Sequence, residues 1–319
     1  MSDHRTRSEV CTLFEGEYHY GVAVLTNSLF AAGYRGTVYA GFRGALPLWA
    51  DGAVAVGDGR ELQVADQLCI RFVRVSTDAH FTNYKPEFLQ HLGLRNDGWF
   101  YLDPDVVVCE AWRFFEEWIS CGVALCEDVN SPMSENHPWR VGWRRFFAER
   151  GYDLGQQSGP YVNGGMVGIS YGARDFARVW ADMLRYVCEA IGGSDYAGIP
   201  GRSALSDYTG FANCFSQPDQ DALNAAMAAS PTTVFSVMNQ KAMGFLQGRA
   251  ILPHAIGAAK PWARSYVREA LVGRPPRTVD KKFWNYARGP VKAFNPSGVL
   301  SKRVALRLAS GIGRIIKRA

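Results

Sequence analysis

The chain has 319 residues, 47% of them hydrophobic and 20% charged, with a mean hydropathy of −0.13; this suits one large α/β domain or two small ones and excludes disorder over most of its length. The formal net charge of +5 is uneven: of the 35 Lys and Arg, ten lie from residue 281 onward, where there is no Asp or Glu, so residues 1–280 hold 25 basic against all 30 acidic side chains. A protein that grips nucleic acid with its whole fold spreads its basic charge, so nucleic acid is excluded as a partner and the tail points to a local anionic surface.

Apolar runs alternate with helical patterns from about residue 10 to 256. Val10–Phe14 reads as a strand and Tyr20–Ala32 as a helix closed by Gly33. Thr37–Ala40 and Leu68–Val75 read as strands, with a helix near Pro86–Leu92. Trp99–Leu102 is a strand running into Asp103-Pro104-Asp105, with Val106–Val108 after it, then a helix Ala111–Ser120 and a strand Val123–Cys126. Tyr161–Ser170 and the long helix Asp175–Ala190 follow. Such alternation argues for a mostly parallel sheet covered by helices on both faces, with ligands at the carboxyl ends of the strands. Two stretches break the rhythm. Ala45–Asp66 is Gly-rich without a clean period, and Ile191–Pro218 is long enough to fold over a site.

Four constellations carry chemistry. In Asp103-Pro104-Asp105 the two carboxylates stand at i and i+2 of an extended segment, so both can face one point. The proline marks a strand end, and a carboxylate pair there suits Mg²⁺ or Mn²⁺ shared with phosphate oxygens. His254-Ala255-Ile256-Gly257-Ala258-Ala259-Lys260 follows an apolar run. Imidazole is a good Mn²⁺ ligand beside carboxylates, Gly257 allows close approach of backbone to ligand, and Lys260 suits a phosphate oxygen. Asp219-Gln220-Asp221-Ala222-Leu223-Asn224 opens a helix, where acidic residues are also favoured by capping and the dipole. Tyr161-Val162-Asn163-Gly164-Gly165 is a strand with two glycines inside it, a mark of close approach or of a β-bulge.

Taken in order, these motifs resemble the retaining glycosyltransferases of family 8, over roughly residues 10–265. Phe14-Glu15-Gly16-Glu17-Tyr18 is similar to that family's uridine-binding start. The resemblance implies a GT-A-type, Rossmann-like, mostly parallel sheet covered by helices. It further implies Mn²⁺ or Mg²⁺ held by Asp103, Asp105 and His254, with a UDP-sugar as donor. Phe14, Tyr18, Lys85, Asp103, Gly164, Gly165, Gly257 and Lys260 would contact that donor, Tyr18 at the base and Lys260 at the diphosphate. Lys85 stands where the family usually has an arginine. Asn163 and Asp219 would meet sugar hydroxyls, Gln220 would lie near the anomeric carbon, and Glu127 or Asp128 near the acceptor. The implied activity is transfer of a hexose to a saccharide or glycolipid acceptor, of the surface-polysaccharide or lipopolysaccharide type.

No apolar run approaches the roughly 20 residues of a membrane-spanning helix, and the start MSDHRTRSEV does not read as a signal peptide. Residues 299–318 instead read as a basic amphipathic helix. Leu300, Val304, Leu308, Ile312, Ile315 and Ile316 fall on one half of its wheel, and Lys302, Arg303, Arg307, Arg314 and Lys317 on the other. The expected organisation is a catalytic domain over 1–265, a linker or extension over 266–298 and a membrane-associating helix over 299–319. Removal of 298–319 should then leave 1–297 folded. The seven cysteines include no C-x-x-C pair, which suits a reducing cytoplasm rather than disulfides or a zinc knuckle. A cytoplasmic protein peripherally bound to the inner membrane face is the resulting expectation. Two rivals stand beside it. A haloacid-dehalogenase-like phosphatase fits Asp103-Pro104-Asp105-Val106-Val107 but lacks a later G-D-x-x-x-D pair; a non-catalytic sugar-nucleotide or glycan-binding protein has no need of a metal site.

Overall fold

Two apolar faces on every central strand force a layered architecture. The protein's structure, a computed structural model, describes residues 8–93, 97–155, 159–195 and 214–316. Its strands are β1 (Ser8–Phe14), β2 (Thr37–Phe42), β3 (Val54–Val56), β4 (Gly59–Ala65), β5 (Leu68–Arg74), β6 (Gly98–Leu102), β7 (Val123–Glu127), β8 (Val162–Ser170) and β9 (Phe235–Met238). They form one nine-stranded sheet in the order β3-β4-β5-β2-β1-β6-β8-β7-β9. β5, β2, β1 and β6 are parallel neighbours, and β9 is parallel to β7. Against the common direction run β4, paired antiparallel with β3 and β5, and β8, paired antiparallel with β6 and β7.

Side chains alternate across the sheet as the pleat requires. Cys11 and Leu13 of β1, Trp99 and Tyr101 of β6, and Val123 and Leu125 of β7 enter one core. Their neighbours Val10 and Phe14, Phe100 and Leu102, and Ala124 and Cys126 enter the other. The first core is closed by helices α2 (Lys85–Leu92), α4 (Pro138–Ala148), α5 (Asp175–Ile191) and α6 (Pro218–Ala228). The second is closed by α1 (His19–Ala31) and α3 (Trp112–Ile119). Strands buried on both faces read as continuous apolar runs, and this is why they are visible in the sequence.

The Ala45–Asp66 stretch carries the hairpin β3–β4 on the sheet edge, whose side chains are half-buried or exposed and so show no apolar period. Val106–Val108 does not extend β6; it turns away to pair with residues 251–254. Most of the suspected covering segment, residues 196–213, lies outside the described residues.

The stretch expected as a linker or extension is folded. It holds α7 (Tyr266–Leu271) and α8 (Thr278–Tyr286), and the last helix, α9 (Pro296–Ile315), begins inside it. These three share a separate core of Tyr266, Phe283, Trp284, Val299, Leu306 and Ala309, joined by Val107 and Ala255 from the main body. Asn27 of α1 ties this unit down. Its Nδ2 donates to Tyr286 O at 2.9 Å and Val291 O at 3.0 Å, and its Oδ1 accepts from Val291 N at 2.8 Å. Because α9 contributes Val299, Leu306 and Ala309 to this core, deleting 298–319 would uncover apolar surface, and that truncation is not structurally neutral. No helix among the described residues is long and apolar enough to cross a membrane.

Asn27→Ala removes three hydrogen bonds and orphans buried backbone groups, each costing about 1–3 kcal/mol. A loss of about 2–3 kcal/mol in urea denaturation is expected; a change within error would show that the tether contributes nothing.

Candidate active site

The carboxyl end of β6 delivers Asp103, whose N donates to Gly165 O on β8 at 2.8 Å. The chain then turns through Pro104 against α1. A Cβ on Gly21 would stand 2.3 Å from Pro104 O, so glycine is what lets helix and turn meet. Beyond the turn, Ala255 N donates to Asp105 O at 3.1 Å, Val107 N to Pro253 O at 3.0 Å and Cys109 N to Ile251 O at 2.8 Å. This ladder brings His254 beside the turn. Its Nε2 lies 3.2 Å from Asp105 Oδ1 and 3.6 Å from Asp103 Oδ2.

The imidazole is oriented from behind. Asn163 Oδ1 accepts from Gly165 N at 2.9 Å, which fixes the amide, and lies 3.0 Å from His254 Nδ1. Asn163 Nδ2 donates to Asp128 Oδ2 at 2.7 Å. With an oxygen facing it, Nδ1 is the nitrogen that donates, which turns Nε2 toward the two aspartates and would leave it to serve as the ligand atom when a metal is held there, the usual arrangement behind a metal-binding histidine. Gly165 makes room: a Cβ there would be 2.3 Å from His254 Cε1. Ligand atoms of Asp103, Asp105 and His254 all fall within 4.8 Å of one another. Two carboxylates and one imidazole form a donor set that suits Mn²⁺ and accommodates Mg²⁺.

Two lysines compensate the acids. Lys85 Nζ, buried, donates to Asp219 Oδ2 at 3.1 Å and Gly164 O at 3.0 Å and sits 3.1 Å from Asp103 Oδ1. Burial alone would lower its pKa, but Asp103 and Asp219 outweigh that and hold it above the ordinary lysine value. Lys260 Nζ lies 2.6 Å from Asp105 Oδ2 and donates to Ala255 O at 2.8 Å. Burial tends to raise the Asp105 pKa, yet His254 and Lys260 together hold it well below the carboxylate range.

These groups face a cavity of about 550 Å³, also lined by Phe14, Tyr18, Asp128, Gly164, Gln220 and Gly257. Every residue singled out for donor, metal or catalysis touches it. Their parts differ. Phe14 is buried and packs on Phe42 and Phe72, whereas Tyr18 is exposed, edge-on to Trp262, with Lys260 Nζ 5.6 Å from its ring centre. Gly257 has φ +83° and open space beside it. Asn163, expected at a sugar hydroxyl, has its amide engaged by His254, Gly165 and Asp128. Gln220 accepts from Gly164 N at 3.1 Å through Oε1, and its buried Nε2 has no partner among the described residues. An unpaired buried amide donor beside a cavity is costly unless a ligand satisfies it. Of the acceptor-side pair, Asp128 lines the cavity and Glu127 does not.

Three contributors escape sequence reasoning. Tyr101 OH donates to Asp103 Oδ1 at 3.0 Å. Arg43 Nε donates to Glu15 Oε2 at 2.9 Å, and its Nη1 to Thr77 O at 2.8 Å, tying the cavity rim together. Asp221, fully buried, accepts from Tyr161 OH at 2.7 Å, Ser216 N at 2.7 Å and Gln217 N at 2.9 Å, shaping the entrance to α6. The alternation of Tyr101 with Asp103 was a usable signal; the other two depend on tertiary contacts.

No protein-family model and no curated protein matches the chain. Solved structures do. An active-site mutant of LgtC aligns at 16% identity and TM-score 0.51, covering 92% of this chain and 99% of that one. A galactosyltransferase LgtC complex with donor and acceptor sugar analogues gives 15% and 0.50 with the same coverage. The WbbM bifunctional glycosyltransferase gives 14% and 0.53, covering 94% of this chain and 52% of that one. At these identities the likeness is one of fold, and the chain has the GT-A-like fold of these glycosyltransferases.

Asn163→Ala frees the imidazole to rotate and should weaken Mn²⁺ binding about 10–100-fold in calorimetry; unchanged affinity would show that the orientation is irrelevant. Asp221 generates a pH prediction. Burial pushes its carboxyl up to about 7, against the Tyr161 hydroxyl and the Gln217 and Ser216 amides. The folded chain therefore holds this proton more tightly than the unfolded chain, where Asp titrates at about 3.9. Ionisation removes stability as pH rises between those values. Asp221→Asn should show a smaller fall in Tm between about pH 5 and about pH 8 than the wild type; parallel curves would refute the assignment.

Proposed function

We propose that the protein is a metal-dependent retaining glycosyltransferase that moves a hexose from a UDP-sugar to a saccharide or glycolipid acceptor at the cytoplasmic face of a membrane. The observation that carries this reading is the convergence of Asp103, Asp105 and His254 on one point of the cavity, with Lys260 beside them. The LgtC complex, which shares the fold, holds donor and acceptor sugar analogues, and this supports a sugar-nucleotide donor here.

Asp103, Asp105 and His254 would hold the dication, which supplies electrostatic stabilisation to the departing diphosphate. A dication and the two ionised oxygens of a sugar diphosphate are neutral together, so loading does not change the net charge of the site. Lys260 has a long stem and a compact ammonium that exchanges readily between Asp105 and a phosphate oxygen. Tyr18, at the open rim, offers its ring to the base. Gln220 Nε2 supplies a hydrogen bond to the sugar or the incoming hydroxyl.

Retention by two displacements needs a free carboxylate close to the anomeric carbon. Gln220 has only a weakly nucleophilic amide oxygen. The carboxylates around it are committed: Asp219 to Lys85, and Asp128 to Asn163 and Asn130. This favours attack from the leaving-group face. The acceptor oxygen bonds to the anomeric carbon as the bond to the diphosphate oxygen breaks, and the acceptor proton passes to that departing oxygen.

The membrane part of the proposal rests on α9. Sequence periodicity divides this helix into an apolar and a basic half, but the folded helix has three sectors. Val299, Leu306 and Ala309 face the protein, while Leu300, Val304, Leu308 and Ile315 remain 55%, 46%, 58% and 84% exposed. That outward stripe, flanked by Arg303, Arg307 and Arg314, fits an interfacial helix.

A panel of UDP-hexoses with Mn²⁺ or Mg²⁺ tests the proposal. Acceptor-free hydrolysis that stops on chelation is expected, falling on the order of a hundredfold or more in His254→Ala, and an α-linked donor should yield an α-linked product. A β-linked product would defeat the mechanism. Phosphate release from simple monoesters would favour the phosphatase, and tight donor binding without turnover a binding protein.

A further inference from the structure

Helices α8 and α9 meet along a groove of about 420 Å³ on the basic side of the protein. Lys281 and Asn285 line it from α8, and Arg303, Arg307, Ser310 and Arg314 from α9. Among the described residues, no acidic residue borders it. The acids of α7 and α8 are already paired: Asp280 is buried against Arg264 and Arg277, and Glu269 is held by Arg264. The four groove cations thus stand without a carboxylate partner among the described residues, beside a hydroxyl and an amide able to donate hydrogen bonds.

The position of the groove decides what fits it. At about 100° per residue, Arg303, Arg307 and Arg314 lie on the edge of α9 between its protein-facing side and the exposed stripe of Leu300, Val304, Leu308 and Ile315. An anion seated among the arginines therefore has apolar surface on its outer side and water-facing donors around it. A free phosphate would use only the first of these features. A lipid uses both, with its phosphate in the groove and its acyl chains starting beside the leucines. Arginine forks match phosphate oxygens in a bidentate manner.

Building on the membrane reading above, we infer that the α8–α9 groove is a discrete seat for the phosphate headgroup of an anionic membrane lipid, formed by Lys281, Arg303, Arg307 and Arg314. This is a stronger statement than diffuse attraction of a basic tail. Diffuse attraction depends on how many charges are near the leaflet; a seat depends on which ones.

The test compares full-length variants of equal charge on vesicles of phosphatidylcholine with and without phosphatidylglycerol. Arg303→Gln with Arg307→Gln removes two of the four groove cations. Arg288→Gln with Lys292→Gln removes two exposed cations that do not line it. Circular dichroism confirms that both remain folded. The groove pair should bind phosphatidylglycerol vesicles at least tenfold more weakly than the control pair, and Leu300→Ser with Leu308→Ser should also lose binding. Equal losses in the two charge pairs would overturn the seat while leaving membrane association intact. Wild-type binding that ignores the anionic lipid would overturn it as well. Stabilisation of wild type by inorganic phosphate matching that by phosphatidylglycerol vesicles would assign the groove to a soluble anion instead. Failure of wild type to bind any vesicle would defeat the underlying membrane reading itself.

Discussion

Two backbone hydrogen bonds, Val107 N to Pro253 O and Ala255 N to Asp105 O, hold the Asp-Pro-Asp turn against the segment that carries His254, and the rest of the site depends on them. They are strand-like bonds placed beyond the end of the sheet, so they fix position without being part of the main ladder. Around them the fold accepts a cluster of buried charge. Taking each ion out of water costs several kcal/mol, and only close opposite charges with further hydrogen bonds offset that. Lys85 and Lys260 do so for the aspartates, and Tyr101 and the backbone add the hydrogen bonds. The site is therefore assembled before any ligand arrives, as the proposed electrostatic catalysis would require.

Glycines make this crowding possible. Gly21 admits Pro104 against α1, and Gly165 admits the imidazole against β8; at both places an added Cβ would sit 2.3 Å from its neighbour. These are demands of close approach rather than of unusual backbone angles. They explain why the double glycine interrupts an otherwise fully buried strand.

Much of the layered sheet was legible because central strands buried on both faces leave continuous apolar runs, and several of the helices between them end near a glycine or have a proline in the first turn. The grouping of Asp103, Asp105, His254 and Lys260 was legible because motif order survives in one dimension. Other parts left no such trace. The hairpin β3–β4 lies on the sheet edge, where side chains carry mixed burial and the period is lost. Arg43 reaches Glu15 and Asp221 reaches Tyr161 only after the chain has folded, so neither spacing nor residue type announces them. For α9, periodicity counts apolar and basic residues but cannot say which sector the protein itself covers. Packing chose Val299, Leu306 and Ala309, and thereby left Leu300, Val304, Leu308 and Ile315 outside.

The C-terminal helices are also part of the site's support. Arg277, at the start of α8, donates through Nη1 to Ile256 O at 2.9 Å and through Nη2 to Ala259 O at 2.8 Å. Tyr266 OH on α7 donates to Pro261 O at 2.8 Å, and Trp284 Nε1 on α8 reaches the same oxygen at 3.3 Å. The loop that carries Gly257 and Lys260 is thus gripped at both ends by the unit that packs under α9. Arg277 is itself fixed by Asp280, which is fully buried and shared with Arg264. A loop bordering an open cavity has few apolar contacts of its own to hold it, and such loops belong to the least stable part of a fold. Here backbone carbonyls bonded to a guanidinium, a phenol and an indole replace those missing contacts. The basic end of the chain consequently has two faces: one presents cations and aliphatic side chains outward, and the other keeps the lysine of the candidate site where its ammonium can meet Asp105.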